Sequence, residues 1–413
     1  MHLLNNTNKM GIFFILYFSL LAGYYFGENS SGGAYPDFQM RIGLIDSFKN
    51  NFIETFLNYH NFSDRHSPLL IIIISYLNNL GIDLNIIRLI HLNLVPLLIF
   101  ISYKCLVLKF PDNNKNLLFL ICCAFFLSAS LRSIAIWPDS RLIGLFLFLC
   151  SVYFFIKFKK RYEYKDCILS NLLLVLSAYF SPNFSIFFIY FFFNFFKFYK
   201  FSKQIITLLL FNLILSLPIF IYVFILDVNF FAIKAVSNTS ALEGFNISNK
   251  IFIISSLIFF YLFPFLSNKL SIKLIMNEFK ITHLFLITIL FFLLLYFFNY
   301  SNEYTGGGIF FKFSYLIFGN PYFFFIITFI SLMLILNLFQ TNLNNYLLFF
   351  ILIISNPQLT IYHKYFDPLL ILLYFIFFDF KFRKEDLINT NFLRNIYIFY
   401  SVLLLINITR YFI

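Results

Sequence analysis

Long apolar blocks alternate with short polar segments along the whole chain. Most blocks run for roughly 16 to 22 residues, about the length at which an α-helix crosses the hydrocarbon core of a bilayer. Proline at 182 separates two of the shorter blocks, because proline interrupts a continuous helix. The pattern predicts about thirteen spanning helices, at residues 10–27, 86–108, 117–137, 140–156, 167–180, 183–197, 204–226, 251–267, 281–298, 321–338, 345–355, 366–380 and 394–412.

Composition agrees with an all-α, polytopic membrane bundle that uses residues 1–413 as one integral membrane domain. Hydrophobic residues make up 61% of the chain and charged residues 12%, whereas a soluble domain carries about 25% charged residues. The net charge of +12 comes from basic residues in short loops, so it indicates membrane orientation and no nucleic-acid partner. The five cysteines lie in or beside apolar blocks, without the paired spacing of a zinc site or a disulfide framework.

Basic residues also predict the orientation. If the apolar stretch 67–81 does not span and the N-terminus is cytoplasmic, the cytoplasmic loops hold 19 of the 30 lysines and arginines, as the positive-inside tendency requires. We therefore expect 67–81 to be an amphipathic or re-entrant element on the outer face. The apolar run after Lys9 is long and lacks a clean cleavage site, so we expect a retained first span in the inner (plasma) membrane.

The first long loop after the first span holds candidate chemistry. Asp37 follows a pair of glycines and lies about ten residues beyond the first span, with Glu28 nearer to that span. A carboxylate at the membrane surface can serve as a general base or hold a divalent cation, although a solvated loop acid is the alternative. Arg65 and His66 follow in the same loop and are candidates for binding a phosphate or another part of the substrate.

The short loop after the third predicted span holds a second acid, Asp139. It is either a functional carboxylate or the N-cap of the helix that follows. Arg132 and Arg141 lie on either side of it, just inside the adjacent apolar blocks. Arginines at such depth pair with an acid or a phosphate, or extend to the interface.

These features together resemble the GT-C glycosyltransferases, the group of protein O-mannosyltransferases and the bacterial aminoarabinose transferase. The resemblance rests on the acid near the start of the first loop, the segment His66-Ser67-Pro68-Leu69-Leu70 and the later Asp139. It covers residues 10–200, a GT-C-like catalytic module, while 201–413 supply further spans that shape lipid and acceptor sites. The chain departs from the protein O-mannosyltransferases because Pro36 and Phe38, rather than a second acid, flank Asp37.

The resemblance implies a glycosyltransferase that uses a polyprenyl-phosphate sugar. Asp37 would be the catalytic residue, and Asp139 or Glu28 a second or metal-associated acid, with Mg²⁺ or Mn²⁺ as a possible cation. The sugar would pass, with inversion, to a glycan, lipid or protein acceptor on the non-cytoplasmic face. An O-antigen or capsule polymerase and a lipid-linked glycan flippase or transporter are the alternatives; a transporter is typically marked by internal repeats and charges within its spans.

Two segments in the second half offer further contacts for a phosphate-linked substrate. His363 and Lys364 lie at the predicted outer mouth of a late span, where they can neutralise a lipid phosphate or where the neighbouring tyrosines can anchor the interface. The run Gly306-Gly307-Gly308 can offer backbone N–H groups to an anion. The alternatives are a flexible loop that gates the substrate and a loop with no direct role.

Overall fold

The structure is a computed structural model that describes residues 6–62, 64, 66–229, 245–266, 281–339, 342–380 and 388–412. Every regular element in these ranges is helical, so the all-α class is confirmed for the described part of the chain. Two compact units are present: Met1–Ala241 with Tyr400–Ile413, and Leu242–Phe399.

The first unit contains the helices of the first half. The first helix and three short helices in the loop that follows it are α1 (Asn6–Tyr25), α2 (Ala34–Asn50), α3 (Phe52–Leu57) and α4 (Leu69–Asn79). The remaining helices are α5 (Leu84–Leu92), α6 (Leu94–Lys109), α7 (Lys115–Cys123), α8 (Ala129–Ile136), α9 (Ser140–Arg161), α10 (Tyr164–Phe180), α11 (Phe187–Tyr199) and α12 (Lys203–Phe220).

The second unit contains most of the later helices. They are α13 (Ile247–Leu266), α14 (Ile281–Tyr296), α15 (Ile309–Phe318), α16 (Tyr322–Phe339), α17 (Leu343–Ile354) and α18 (Leu369–Ile376). The last helix, α19 (Thr390–Phe412), begins in the second unit and contributes its later residues to the first.

Six of the described helices are long and apolar enough to cross a membrane, or seven if one bent pair counts as a single span. They are Leu84–Lys109 (α5 and α6 taken together), Ser140–Arg161, Lys203–Ile225, Ile247–Phe265, Tyr322–Phe339 and Thr390–Thr409. The bent pair is Lys115–Leu127 with Ala129–Ile136. These helices support an integral membrane protein. The prediction of about thirteen full-length spans is not shown.

The difference arises because an apolar block need not form one continuous helix. The predicted span 366–380 contains α18, which has only eight residues and is about 12 Å long, well short of a bilayer core. The predicted span 117–137 is interrupted at Ser128, where the two halves meet at 66°. The Ser128 hydroxyl accepts a hydrogen bond from the backbone N–H of Leu131 at 3.0 Å, so it caps the second half.

The loop between α1 and α5 contains the helices α2, α3 and α4. The ambiguous stretch 67–81 forms α4, which has eleven residues and is therefore about 17 Å long, too short to cross a bilayer. It begins directly after Pro68, a residue well suited to a helix start because its backbone angle φ is fixed.

Candidate functional site

Helix α2 carries both Asp37 and Arg41, four residues apart and therefore on the same face. The helix begins after Gly33, and Asp37 lies in its first turn, where the helix dipole favours a negative charge. Asp37 is partly exposed, while Arg41 is only 6% exposed. Burial opposes the charge on Arg41, but the carboxylates of Asp64, Asp139 and Asp37 outweigh it and raise the pKa of this guanidinium.

Arg41 joins the first loop to the turn before α9. Its Nε donates to Asp64 Oδ2 at 2.8 Å, and its Nη1 lies 3.8 Å from Asp139 Oδ2. Its Nη1 also lies 3.5 Å from the carbonyl oxygen of Pro138. One buried guanidinium therefore bridges two carboxylates that are 75 positions apart in the sequence.

Asp64 orients His66. Its Oδ1 accepts the backbone N–H of His66 at 2.9 Å and lies 2.6 Å from His66 Nδ1. Burial opposes ionisation of Asp64, but Arg41 and His66 together hold the pKa of this carboxyl well below its usual range. Nδ1 also lies 2.8 Å from Arg41 Nη2, so it either donates to Asp64 or accepts from Arg41, depending on the tautomer.

The imidazole of His66 reaches the surface of this cluster. Its side chain is 28% exposed, and the buried Tyr59 hydroxyl donates to its backbone carbonyl at 3.0 Å. A carboxylate that holds one ring nitrogen of a histidine fixes the direction of the other, the geometry of an oriented acid or base. Asp37, Asp64 and His66 are thus the partly exposed titratable groups of the cluster, and Arg41 is buried.

Asp139 is the N-cap of α9, which was one of the two roles expected for it. Its Oδ1 accepts the backbone N–H of Arg141 at 2.9 Å and the Nε of Arg141 at 2.8 Å, while Arg141 Nη2 donates to Oδ2. Asp139 is 1% exposed, and although burial opposes ionisation, Arg141 and Arg41 keep the pKa of this carboxyl well below its usual range. Arg141 therefore serves as the counter-ion of an acid.

Glu28 and Arg132 form a separate ion pair. Arg132 Nη2 lies 2.5 Å from Glu28 Oε2, Arg132 Nε donates to Glu28 Oε1 at 2.8 Å, and Nη2 also donates to the backbone carbonyl of Ser19 at 2.8 Å. Gly23 makes room for the pair, since a Cβ there would lie 2.3 Å from Glu28 Oε2. The pair joins the end of α1 to α8, and each partner neutralises the other.

Trp137, the only tryptophan of the chain, lies between these two groups of charges. Its Nε1 donates to the backbone carbonyl of Glu28 at 2.9 Å, and the guanidinium of Arg88 lies 3.9 Å from its ring centroid. The rings of Tyr35 and Phe38, both on α2, lie 4.6 Å and 6.0 Å from it. The indole therefore reports on the packing of α2 against the end of α8.

The remaining predicted residues lie elsewhere. Arg65 falls outside the described residues, and His363 and Lys364 belong to the second unit. Burial lowers the pKa of His363 to about 4, which disfavours a positive charge on its ring. Its Nδ1 lies 3.3 Å from the hydroxyl of Tyr261, and Lys364 Nζ lies 5.2 Å from the ring centroid of Tyr362.

The glycine run packs against the segment that contains His363. Gly307 N donates to the carbonyl of Ile361 at 2.9 Å, and the hydroxyls of Thr305 and Tyr362 are 2.7 Å apart. Gly306 has a φ of +88°, and a Cβ there would lie 2.5 Å from the Ile361 carbonyl oxygen. The backbone N–H of Gly307 thus bonds within the protein.

The described residues show no cluster of carboxylates that could by itself hold a divalent cation. Among the described residues, no group of three or more His, Cys, Asp or Glu side chains lies close enough to hold a metal ion. Asp64 and Asp139 are instead paired with arginines, which already supply the positive charge.

Two residues of the cluster, Arg41 and Asp64, were not among the predicted site residues. The four-residue spacing of Asp37 and Arg41 on a helix, and the two-residue spacing of Asp64 and His66, are the sequence signals that point to them.

Family models, curated proteins and solved structures were compared with the chain, and none of them matches it. The likeness to the GT-C group stays a prediction that rests on the residues named above.

Proposed function

We propose that this chain is a membrane glycosyltransferase that moves a sugar from a polyprenyl-phosphate carrier to a glycan, lipid or protein acceptor. The observation that carries the proposal is the cluster of Asp37, Arg41, Asp64 and His66, anchored through Arg41 to Asp139. It combines partly exposed groups that can exchange protons with buried charges that fix their positions. That combination is typical of a catalytic centre.

Asp37 is the proposed general base. The acceptor hydroxyl attacks the anomeric carbon, the bond between that carbon and the phosphate oxygen breaks, and the hydroxyl proton passes to Asp37. The carrier phosphate leaves with the electron pair of the broken bond, and a single displacement inverts the anomeric configuration. His66, held by Asp64, and the neighbouring Arg65 are proposed to contact the leaving phosphate.

The membrane topology is part of the same proposal. A cytoplasmic N-terminus gives the cytoplasmic loops most of the lysines and arginines and puts the loop between α1 and α5 on the non-cytoplasmic face of the inner (plasma) membrane. The lipid tail of the donor would lie between helices, and the acceptor would arrive from water.

The alternatives are a polymerase of lipid-linked glycans and a flippase or other transporter. A transporter needs polar groups along a path through the spans. The Asp64, His66 and Asp139 side chains instead lie in loops or at a helix start, which favours an enzyme. The polymerase differs from the transferase only in its donor and acceptor, so the assay below includes both kinds of donor.

Sugar transfer tests the proposal directly. Membranes that contain the wild type, Asp37→Asn or Asp46→Asn at equal protein levels would be given labelled polyprenyl-phosphate sugars or labelled polyprenyl-pyrophosphate oligosaccharides. Asp46 is an exposed acid on the same helix as Asp37, so it is the matched control. We expect Asp37→Asn to lower transfer by about a hundredfold or more and Asp46→Asn to leave it unchanged.

Other outcomes change the assignment. Equal transfer by the wild type and Asp37→Asn would remove Asp37 from the chemistry. Transfer from the pyrophosphate donor alone would indicate the polymerase. If the wild type transfers from neither donor while labelled carrier crosses the bilayer of reconstituted vesicles, the transporter replaces the enzyme.

A further inference from the structure

A lysine is buried at the N-terminal end of α13, in the second unit. Lys250 is 1% exposed and is the fourth residue of the helix. Its ammonium group donates to the backbone carbonyl of Gln358, and no carboxylate pairs with it among residues 245–266, 281–339, 342–380 and 388–399. A buried ammonium group without a carboxylate partner is costly, because a carbonyl dipole only partly replaces the water that the ammonium has lost.

The position of Lys250 adds to the cost of burying its ammonium group. The N-terminus of a helix carries a partial positive charge, which favours anions and disfavours cations in the first turn. The nearby polar side chains do not provide an anion, since Asn246 and Asn249 bond to Asn299 at 3.0 Å and 2.8 Å in a neutral amide network. The ammonium group of Lys250 and the N-terminus of α13, which are both positive, therefore lie close together in a buried part of the second unit.

Asn356 is the second, independent observation. It is 1% exposed, and neither its Oδ1 nor its Nδ2 has a hydrogen-bond partner. Buried side-chain amides are normally bonded, and leaving one unbonded is costly. Asn356 precedes Gln358 by two residues, so their Cα atoms are at most about 7 Å apart, and Gln358 is the residue whose carbonyl contacts Lys250.

We propose that Lys250 and Asn356 form a binding site for a phosphate group at the start of α13. The ammonium supplies the charge, the Asn356 amide N–H donates a hydrogen bond, and the helix terminus favours the anion. The phosphate belongs either to an isoprenoid or other lipid chain in the membrane or to free phosphate in solution. This proposal does not depend on the glycosyltransferase proposal, because the Lys250 and Asn356 variants test binding in the second unit, whereas the proposed catalytic residues lie in the first.

The experiment measures saturable binding of radiolabelled farnesyl phosphate to the full chain in phosphatidylcholine nanodiscs, with empty nanodiscs subtracted. Lys250→Gln removes the charge, and we expect it to weaken binding by about tenfold or more, as the loss of one charged hydrogen bond predicts. Lys250→Arg keeps the charge and should retain most of the binding. Lys160→Gln alters an exposed lysine of the first unit and should bind like the wild type.

Asn356→Leu keeps the test valid if Lys250→Gln fails to fold. Leucine branches at the same carbon as asparagine but has no polar atoms, so this variant removes both unbonded groups without leaving a cavity. We expect it nevertheless to bind farnesyl phosphate about tenfold more weakly. Unfolding midpoints in the absence of ligand establish that the protein is intact.

Competition distinguishes the sources of the phosphate. Displacement by millimolar inorganic phosphate would support a site for free phosphate, and displacement only by unlabelled farnesyl phosphate would support a lipid-linked one. The proposal is overturned if farnesol displaces the label as well as farnesyl phosphate does, because the tail alone is then bound. It is also overturned if the wild type shows no saturable binding, or if Lys250→Gln and Asn356→Leu both bind like the wild type.

Discussion

Replacing Arg41 with methionine removes the cation that joins the first loop to the turn before α9. The variant keeps a side chain of similar volume, so the change is mainly one of charge. Asp64 then loses its 2.8 Å contact with Nε, and Asp139 loses the guanidinium that lies 3.8 Å away. Both acids keep one other partner, His66 for Asp64 and Arg141 for Asp139.

The expected magnitude follows from the burial of the pair. Removing one partner of a buried ion pair typically destabilises a protein by about 3–5 kcal/mol. The remaining partners of the two acids argue for the lower end, about 3 kcal/mol, which corresponds to roughly a hundredfold change in an equilibrium constant. Replacing both partners with apolar residues is often neutral, so Arg41→Met with Asp64→Leu should recover most of the loss.

The assay is an SDS titration of the full chain in neutral detergent, followed through the emission of Trp137. Because Tyr35 and Phe38 cover this indole from α2, release of α2 exposes it and shifts its emission to longer wavelength. Arg161→Met is the matched control. Its partner Glu163 is 3.9 Å away and both side chains are more than half exposed, so little change is expected there.

Two results would refute the reasoning. One is a wild-type midpoint for Arg41→Met, which would mean that the ion pairs of Arg41 contribute nothing to the docking of α2. The other is a double variant no more stable than the single one, since the loss would then come from the methionine itself and not from the stranded acid.

Three further predictions concern stability. Glu28→Gln leaves Arg132 buried without its carboxylate, so we expect the free energy of unfolding to fall by about 3 kcal/mol and the midpoint of the same titration to fall with it. A wild-type midpoint would mean that the two residues are not paired in the membrane. Gly306→Ala places a Cβ against a backbone carbonyl at a φ of +88° and should destabilise the second unit by more than 1 kcal/mol. Gly11→Ala, with open space around it, should stabilise α1 slightly. Because Trp137 lies in the first unit, both variants would be followed by the loss of helical circular dichroism, and equal midpoints would contradict the prediction. The pKa of Asp64 is lower in the folded protein, so its contribution to stability is fully present above the unfolded pKa of about 3.9 and is lost as the pH falls below that value. Asp64→Asn should therefore remove this part of the loss of stability between pH 5 and pH 2. An unchanged pH profile of stability would exclude Asp64 as its source.

Local features of this fold could be predicted from the sequence. Asp139 was expected as a possible N-cap of the helix that follows, and the structure has it there, because capping depends on residues only two or three positions apart. The short length of α4 and the helical character of the first loop also follow from nearby residues. The arrangement of apolar blocks was sufficient for the class of fold.

The count of spans and the partners of the charges could not be predicted in the same way. Hydrophobicity measures how apolar a segment is, but not whether its backbone stays helical through Ser128 or Pro368. Glu28 and Arg132 are 104 positions apart, and no local pattern connects them. Arg41 and Asp64 likewise meet only because the loop folds back on itself. From the sequence they are two separate charged residues, and their ion pair becomes visible only in the structure.

The ion pair between α1 and α8 also bears on how the chain enters the membrane during synthesis. An arginine at the centre of a spanning segment raises the free energy of insertion by about 2.5–3.5 kcal/mol, and Arg132 lies in α8, the shorter helix of the bent pair. Its carboxylate partner is translated about a hundred residues earlier. If α1 and the bent pair both span the membrane, as we propose, the insertion of α8 should depend on the earlier insertion of α1. The ion pair of the folded protein would then set the order in which these helices enter the bilayer.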